Sequence, residues 1–269
     1  MSSVPEEYCR QKAAASGSSF YYSTLYFPPD IKRKLYALHA FNTELEELII
    51  ECNDPGVARM KLGWWAEETQ RLHEGQARHP VTRELAGFRE YLPALESVML
   101  QLINHYDQQI NMEAPENYQE LMSFLARGPG LLWQHSASVC EPQYPQTPEA
   151  VSHLGCQFAW FHIMQNSHDN LEKNRNYWPR DEATAFGEKE KLYAFQINRL
   201  MQEMEDSVKN IAASDRFTQL HAIVMVQIIL RTCEEIAKSG YLLDQERINL
   251  TPLRKFWIAW RTYRKEKIA

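Results

Sequence analysis

Residues 35–54 have the sequence LYALHAFNTELEELIIECND, in which apolar side chains recur every three or four positions. That spacing places them along one side of an α-helix. The same spacing recurs across residues 220–233, whereas the alternation typical of a half-buried strand is almost absent from the chain. Several segments are apolar on more than one face, as in the centre of a helical bundle. The sequence therefore predicts an all-α fold with one layered bundle.

Turn-forming residues mark where the helices begin and end. FPPD precedes the helix that contains the opening stretch, NDPG follows it, and RGPG and EPQYPQTPE separate later helices. Proline fits the first turn of a helix but interrupts its interior. The predicted helices cover residues 29–51, 55–75, 79–91, 92–110, 116–127, 130–140, 147–173, 189–212, 215–240 and 250–266.

Composition limits the domain count and the partners. The chain has 269 residues, of which 44% are hydrophobic and 24% charged, enough to bury a large core. No long glycine-, serine- or proline-rich tract divides it, which favours a single domain over residues 1–269. The net charge is −6, and no basic stripe interleaved with aromatic residues occurs before the last turns. Nucleic acid is therefore excluded as the expected partner.

Cysteine usage and the N-terminus indicate the compartment. The five cysteines are odd in number and far apart, which predicts buried thiols in a reducing environment. The N-terminal sequence MSSVPEEYCRQKAAASGSS lacks the apolar core of a secretory signal. No apolar run approaches the roughly 20 residues that a membrane span needs. We expect a cytoplasmic protein.

Two stretches contain candidate ligands for a metal ion. The first is the opening stretch, in which Glu46 and Glu47 are followed by Glu51 about one helical turn later. The second is HIMQNSHDNLEKNRNYWP, residues 162–179. If both helical faces were acidic and met inside a bundle, they would bind Mg²⁺ ions that hold and neutralise a diphosphate. The alternative is that the glutamates form a solvated surface.

Four blocks of sequence stand out along the chain: SSFYYSTLYFPPDIKRKLYALHAFNTELEEL, KLGWWAEETQRLHEGQARHPVTREL, the 162–179 stretch and the closing RTCEEIAKSGYLLDQERINLTPLRKFWIAW. Together they resemble the squalene/phytoene synthase family, the head-to-head prenyl transferases. The resemblance extends in order from about residue 15 to the end, and it leaves residues 1–14 as an N-terminal extension. It implies an isoprenoid-synthase-like helical bundle around a central cavity.

The resemblance also implies which positions contact substrate and metal. Ser19, Phe20, Arg175 and Tyr177 are the implied diphosphate-binding residues, although Arg175 could equally fasten a helix end. The implied metal-binding positions, with one adjacent acid, are occupied here by Glu46, Glu47, Ile50, Asn166, Asn170 and Asp169. An amide adds no charge to a magnesium site and isoleucine offers no ligand. We therefore expect Mg²⁺ to bind weakly.

These substitutions favour a catalytically degenerate relative. Such a protein would bind a prenyl diphosphate or another isoprenoid or lipid, or would act as an assembly factor with a protein partner. The alternative is an active Mg²⁺-dependent prenyl transferase of the squalene/phytoene synthase type, or a prenyl-diphosphate hydrolase. That enzyme would act on farnesyl or geranylgeranyl diphosphate through Glu46, Glu47 and Asp169.

The C-terminal residues 252–269 combine tryptophans with a cluster of arginine and lysine residues. A basic helix that carries tryptophans is typical of peripheral membrane contact. The alternative is that the apolar side of this helix docks on the bundle. If the helix contacts a membrane, the cytoplasmic protein would associate with membranes.

Overall fold

The computed structural model describes residues 4–52, 54–89, 95–173, 175–243 and 247–268. Within these ranges the chain forms α-helices, one short π-helix and one short 3₁₀ turn, with no β-strand. The predicted all-α fold is confirmed. The α-helices are α1 (Val4–Ala13), α2 (Ser19–Ser23), α3 (Pro29–Glu51), α4 (Pro55–His73), α5 (Pro80–Ala86), α6 (Leu95–Gln109), α7 (Tyr118–Leu125), α8 (Leu131–Val139), α9 (Thr147–Gln165), α10 (Ser167–Glu172), α11 (Arg180–Phe186), α12 (Lys189–Lys209), α13 (Leu220–Lys238) and α14 (Pro252–Ile268).

Helix α3 is the centre of the N-terminal half of the bundle. It begins at Pro29, where proline fits the first helical turn, and it ends at Glu51 as the sequence predicts. Leu35, Phe41 and Leu45 on its apolar side are fully buried. Helices α1, α5, α6 and α8 pack around α3. This half of the bundle therefore has its own continuous hydrophobic core.

Helices α9, α12 and α13 form the centre of the C-terminal half. Phe158, Trp160 and Phe161 of α9 are all buried in its core. The indole nitrogen of Trp160 donates a hydrogen bond to Oε1 of Gln196 at 3.2 Å, so its one polar group is satisfied. These aromatic side chains contribute to core packing and bind α9 to α12.

A π-helix, residues Ala126–Gly130, joins α7 to α8 at the RGPG sequence. The sequence predicts an interruption at this point, but the wider turn continues the helical path past Pro129. A Cβ atom on Gly128 would lie 2.3 Å from the His105 ring, and one on Gly155 would lie 2.6 Å from Cβ of Trp133. Only glycine fits at these two contacts, so α6, α8 and α9 approach the π-helix closely.

The N-terminal segment contains a helix that the sequence did not predict. Within the expected extension of residues 1–14, α1 packs against α3 and α5. Cys9 and Ala14 are buried in that contact. Helices α2 and α11 are also unpredicted, because each spans less than two turns and shows too little periodicity to be recognised.

Other boundaries follow the prediction with local differences. The predicted helix 147–173 is two helices, because Asn166 leaves the helical conformation at φ −111° and ψ 21°. The predicted boundary between residues 91 and 92 lies outside the described residues.

Cys52 is half-buried and the other cysteines are buried, all as free thiols. No helix in the described ranges has both the length and the apolar character needed to cross a bilayer.

Candidate functional site

The end of α3 contacts the segment that follows α10. Nη2 of Arg175 donates to the carbonyl of Ile49 at 2.7 Å, and Nζ of Lys173 donates to the carbonyl of Ile50. Carbonyls in the last turn of a helix have no partner within that helix and carry partial negative charge. The two stretches singled out from the sequence therefore meet, and Arg175 fastens the end of α3.

Arg175 is also one of the implied diphosphate-binding residues. Its side chain is buried, and its Nε has no hydrogen-bond partner among the described residues. Burial lowers the pKa of its guanidinium, and Tyr177 raises it. The hydroxyl of Tyr177 donates to Oε1 of Gln109 at 3.2 Å. A buried cation with an unused donor is suited to an anion and repels a metal ion.

Glu46 faces this junction from α3. The residue is accessible to solvent, yet burial raises the pKa of its carboxyl, which Glu47 raises further and Arg247 lowers. Burial also raises the pKa values of Tyr106 and Tyr177, and the charge of Glu46 adds to both shifts. Glu46 therefore lies close to Tyr106, Tyr177 and Arg247, near the contact between the end of α3 and the segment that follows α10.

Glu47 points elsewhere, because adjacent helical residues lie about 100° apart around the helix axis. Its carboxylate forms an ion pair with Lys12 of α1, whose Nζ also lies 3.2 Å from Oε1 of Glu44. These side chains line an outer cleft of about 430 Å³ together with Trp64 and His79. The two neighbouring glutamates of the first stretch therefore do not share a site.

The positions of the second stretch provide few metal ligands. Asn166 and Asn170 are half-buried, and the backbone carbonyl of Asn170 accepts the N–H of Arg175 at 2.9 Å. Asp169 is exposed, and the apolar side chain of Ile50 is 50% exposed. In the described part of the chain, no three histidine, cysteine, aspartate or glutamate side chains are grouped so that they could hold a metal ion. These residues do not fit a magnesium cluster.

Two cations from distant parts of the chain, Arg247 and Lys255, lie near each other and near His162, and we call Arg247 and Lys255 the cationic set. Burial lowers the pKa of His162 to about 4, and both Arg247 and Lys255 lower it further. Burial and Arg247 also lower the pKa of Lys255. Nζ of Lys255 donates to the carbonyl of Gly17 at 3.3 Å. Because Arg247 also lowers the pKa of Glu46, the cationic set lies near this carboxyl.

Arg247 belongs to none of the candidate sites predicted from the sequence, and Lys255 was predicted only as one member of a basic cluster. Both residues lie in the closing block that resembles the family, between residues 231 and 260. That resemblance was the one feature of the sequence that could have pointed to them. His162 is the first residue of the second stretch, and its neutral state depends on burial that the sequence does not show.

Ser19 and Phe20 lie in α2, next to the carbonyl of Gly17 that accepts from the cationic set. The Phe20 ring lies 4.1 Å from the ring of His39 and 6.1 Å from that of Trp133, measured between centroids. Phe20 therefore packs into the interior of the bundle. Ser19 is half-buried at the start of the helix.

Two solved structures of similar shape are named as a dehydrosqualene synthase and a squalene synthase. A dehydrosqualene synthase in complex with ligand matches with a TM-score of 0.83 at 16% identity, covering 98% of this chain and 97% of that one. Squalene synthase HpnC from Alicyclobacillus acidocaldarius matches with a TM-score of 0.73 at 16% identity, covering 88% of this chain and 94% of that one. At this level of identity, the likeness shows the fold.

Sequence comparison identifies the family. The 15-cis-phytoene synthase of Synechocystis sp. is 23% identical over 288 aligned positions, which cover 96% of this chain and 86% of the relative. The NADH dehydrogenase (ubiquinone) complex I, assembly factor 6 of Mus musculus is 22% identical over 149 positions, covering 55% of this chain and 45% of the relative. The sequence profile of the squalene/phytoene synthase family matches residues 13–254. Because that match spans most of its length, the chain belongs to the squalene/phytoene synthase family.

Proposed function

We propose that this family member binds an isoprenoid with an anionic head group, such as a prenyl diphosphate, without ionising it. The observation that carries the proposal is the cationic set beside Glu46. Arginine and lysine bind phosphate oxygens through charge-assisted hydrogen bonds. The chain's own cations would thus supply the positive charge that the family resemblance assigns to bound metal ions.

Arg175 supports the same ligand class. Its buried Nε lacks a hydrogen-bond partner among the described residues, and its Nη2 fastens α3. Leaving a charged donor without a partner costs free energy unless a ligand or water satisfies it. An anionic group that enters between the end of α3 and the cationic set would gain both the free donor and the neighbouring positive charge.

The metal positions argue against ionisation of the diphosphate. A head-to-head synthase stabilises the negative charge that develops on the leaving group with metal ions held by carboxylates. In this chain, Ile50, Asn166 and Asn170 provide no negative charge, and Glu47 is paired with Lys12. Within the described part of the chain, Glu46 is the one carboxylate of this group without such an ion pair, and the nearby charge of Arg247 lowers its pKa. One carboxylate next to a cation is a poor site for a divalent ion.

The comparisons support the isoprenoid class of the ligand. Two of the similar proteins are named as phytoene and dehydrosqualene synthases, and the second was solved with a ligand. The interior next to α2 contains closely packed aromatic rings, including Phe20, His39 and Trp133. Apolar and aromatic surroundings next to a cationic group suit a ligand with an apolar chain and an anionic head.

The test uses the purified chain with farnesyl and geranylgeranyl diphosphate. We expect calorimetry to show binding that is equal in Mg²⁺ and in EDTA, because protein side chains provide the positive charge. We also expect no release of diphosphate above the protein-free rate. An active synthase or hydrolase would instead release diphosphate in Mg²⁺ and stop in EDTA, and that result would overturn the proposal.

Assembly of a protein complex is a second candidate function. The observation that favours it is the similarity to the mouse complex I assembly factor, which covers 55% of this chain. In that case, the chain recovered from its own cells would carry a stoichiometric protein partner. Purified chain would then show no saturable binding of either prenyl diphosphate. The calorimetric experiment therefore separates the two functions.

Restoring negative charge should create a metal site. We expect the triple variant Ile50→Asp, Asn166→Asp and Asn170→Asp to bind Mg²⁺ about tenfold or more tightly than the parent, because carboxylates compensate its dehydration. The three positions are exposed or half-buried, so the added carboxylates remain solvated. Calorimetric titration with MgCl₂ measures the change.

A control variant adds the same charge at distant exposed positions. It carries the three substitutions Gln101→Asp, Gln119→Asp and Asn210→Asp. We expect its Mg²⁺ affinity to match that of the parent. Equal affinity in both triple variants would show that the positions on α3 and α9–α10 are too far apart to share an ion.

A further inference from the structure

Helix α14 is docked with its small and polar side inward. Ala259, Thr262 and Glu266 are buried against the bundle, where α14 packs on α13 and α2. Most of the large apolar side chains of the helix are on the solvent side. We call these residues the aromatic stripe: Leu253, Phe256, Trp257, Trp260 and Ile268. The alternative raised from the sequence, that the apolar side of this helix docks on the bundle, holds for Ala259, Ile258 and Tyr263, but the tryptophans are left on the solvent side.

Helical geometry explains the arrangement. Leu253, Trp257 and Trp260 are spaced by four and three residues, so they lie on one side of α14. The buried Ala259 and Thr262 lie roughly on the other side of the axis, at 100° per residue. The rings of Trp257 and Trp260 meet edge to face, with centroids 5.0 Å apart. The outward tryptophans are therefore a contiguous surface.

The inner side of α14 is held firmly. Arg216 donates two hydrogen bonds to the buried carboxylate of Glu266, at 2.7 and 2.9 Å. The rings of Tyr26 and Tyr263 are stacked with centroids 4.3 Å apart. Rotating the helix to bury the aromatic stripe would break this bidentate ion pair. The stripe is therefore exposed in the stable arrangement of the helix.

Positive charge surrounds the aromatic stripe, although the whole chain has a net charge of −6. The exposed cations along the last two turns are Arg261, Arg264, Lys265 and Lys267. The guanidinium of Arg264 lies over the ring of Trp260, 5.6 Å from its centroid. Tryptophan prefers the headgroup region of a bilayer, and lysine and arginine are attracted to anionic lipid. The aromatic stripe and its cations thus match the surface of an anionic lipid bilayer in both polarity and charge.

We propose that the outward side of α14 binds an anionic lipid bilayer, with the helix lying in the plane of the membrane surface. A second copy of the chain is a poor occupant, because a symmetric contact would oppose two sets of like charges. A single helix face of about 25 Å in length is also narrow for a stable dimer, which buries about 800 Å² on each partner. This proposal does not rest on the proposed ligand, and the experiments that test it use ligand-free protein.

The first experiment measures binding to vesicles of equimolar phosphatidylglycerol and phosphatidylcholine by sedimentation. We expect the full chain to bind these vesicles, to bind pure phosphatidylcholine at least about tenfold more weakly, and to dissociate as salt rises. Brominated acyl chains should quench the tryptophan fluorescence of the bound protein. Equal binding to both kinds of vesicle, or no binding, would overturn the proposal.

Substitutions then locate the binding surface. We expect the exposed triple variant Phe256→Gln, Trp257→Gln and Trp260→Gln to lose at least about tenfold in vesicle affinity while its melting temperature is unchanged. The matched control replaces exposed apolar residues elsewhere, through Val57→Gln, Met60→Gln and Leu100→Gln. Equal losses in the two triple variants would assign binding to general surface properties and would contradict the role of α14.

A second pair of variants tests the charge. Arg261→Gln, Arg264→Gln and Lys265→Gln together should weaken binding by about a hundredfold, since each cation near an anionic surface contributes about fivefold. The control removes three exposed cations elsewhere, through Lys61→Gln, Arg78→Gln and Arg83→Gln.

Sedimentation velocity measures whether the chain associates with itself. A dimer of the full chain that the aromatic triple variant converts to monomer would assign the stripe to self-association and overturn the lipid proposal.

Discussion

Glu68→Ala is expected to lower the free energy of unfolding by about 3–5 kcal/mol, as the loss of one partner from a buried ion pair does. Glu68 is fully buried on α4. Its carboxylate accepts the backbone N–H groups of Arg78 and His79 at 2.7 and 2.8 Å, and Nε of Arg71 at 2.7 Å. It also accepts the hydroxyl of Thr82. Alanine would remove all these hydrogen bonds and would leave the N–H groups of Arg78 and His79 without this acceptor, and denaturant unfolding measures the cost.

Glu67→Ala is the matched control. The Glu67 side chain is 71% exposed and lies 3.4 Å from the guanidinium of the same Arg71. An exposed ion pair of this kind contributes little, so we expect a change within about 0.5 kcal/mol. If both alanine variants unfold at the same denaturant concentration, the buried carboxylate does not stabilise the packing of α5 on α4.

The pH dependence of stability provides a second readout for Glu68. Burial alone would raise the pKa of this carboxyl, but the hydrogen bonds from Thr82, His79, Arg71 and Arg78 lower it from 4.5 to about 2. A group whose folded-state pKa is lowered stabilises the fold above its unfolded pKa. That contribution should disappear as the pH falls from 4.5 to 2. The Glu68→Ala variant should therefore lose less stability over this interval than the parent chain.

The sequence predicted the bounds of α3 because local signals agree there. Pro29 supplies the first turn, and the spacing of apolar residues up to Ile49 supplies the buried side. The different environments of Glu46 and Glu47 were not predicted. They depend on Lys12 of α1, a helix in a segment that was expected to be an extension. The environment of Glu47 therefore depends on a tertiary contact with Lys12, which the spacing of apolar residues does not predict.

The orientation of α14 shows a second limit. Burial of apolar area predicts that the tryptophans face inward. The structure places Glu266 inward instead, because Arg216 provides a bidentate partner for it. The same orientation brings Lys255 to the carbonyl of Gly17 and so completes the cationic set. The Arg216–Glu266 ion pair thus stabilises an orientation that places both Lys255 and the exposed aromatic surface, and a pairing between residues 50 positions apart cannot be predicted from a local pattern.

Arg247→Ala and Lys255→Ala are each expected to weaken the binding of farnesyl diphosphate by about 10- to 150-fold. Each variant removes a charge-assisted hydrogen bond, which contributes about 1.5–3 kcal/mol, and 1.4 kcal/mol corresponds to a factor of ten. Calorimetry in EDTA measures the affinity, and thermal melting verifies that each variant is folded. Arg254→Ala is the matched control on α14, the helix that contains Lys255, because Arg254 is exposed and paired with Glu235 at 2.8 Å. Its affinity should equal that of the parent. If all three variants bind alike, the head group lies elsewhere and the chain's cations do not replace the metal.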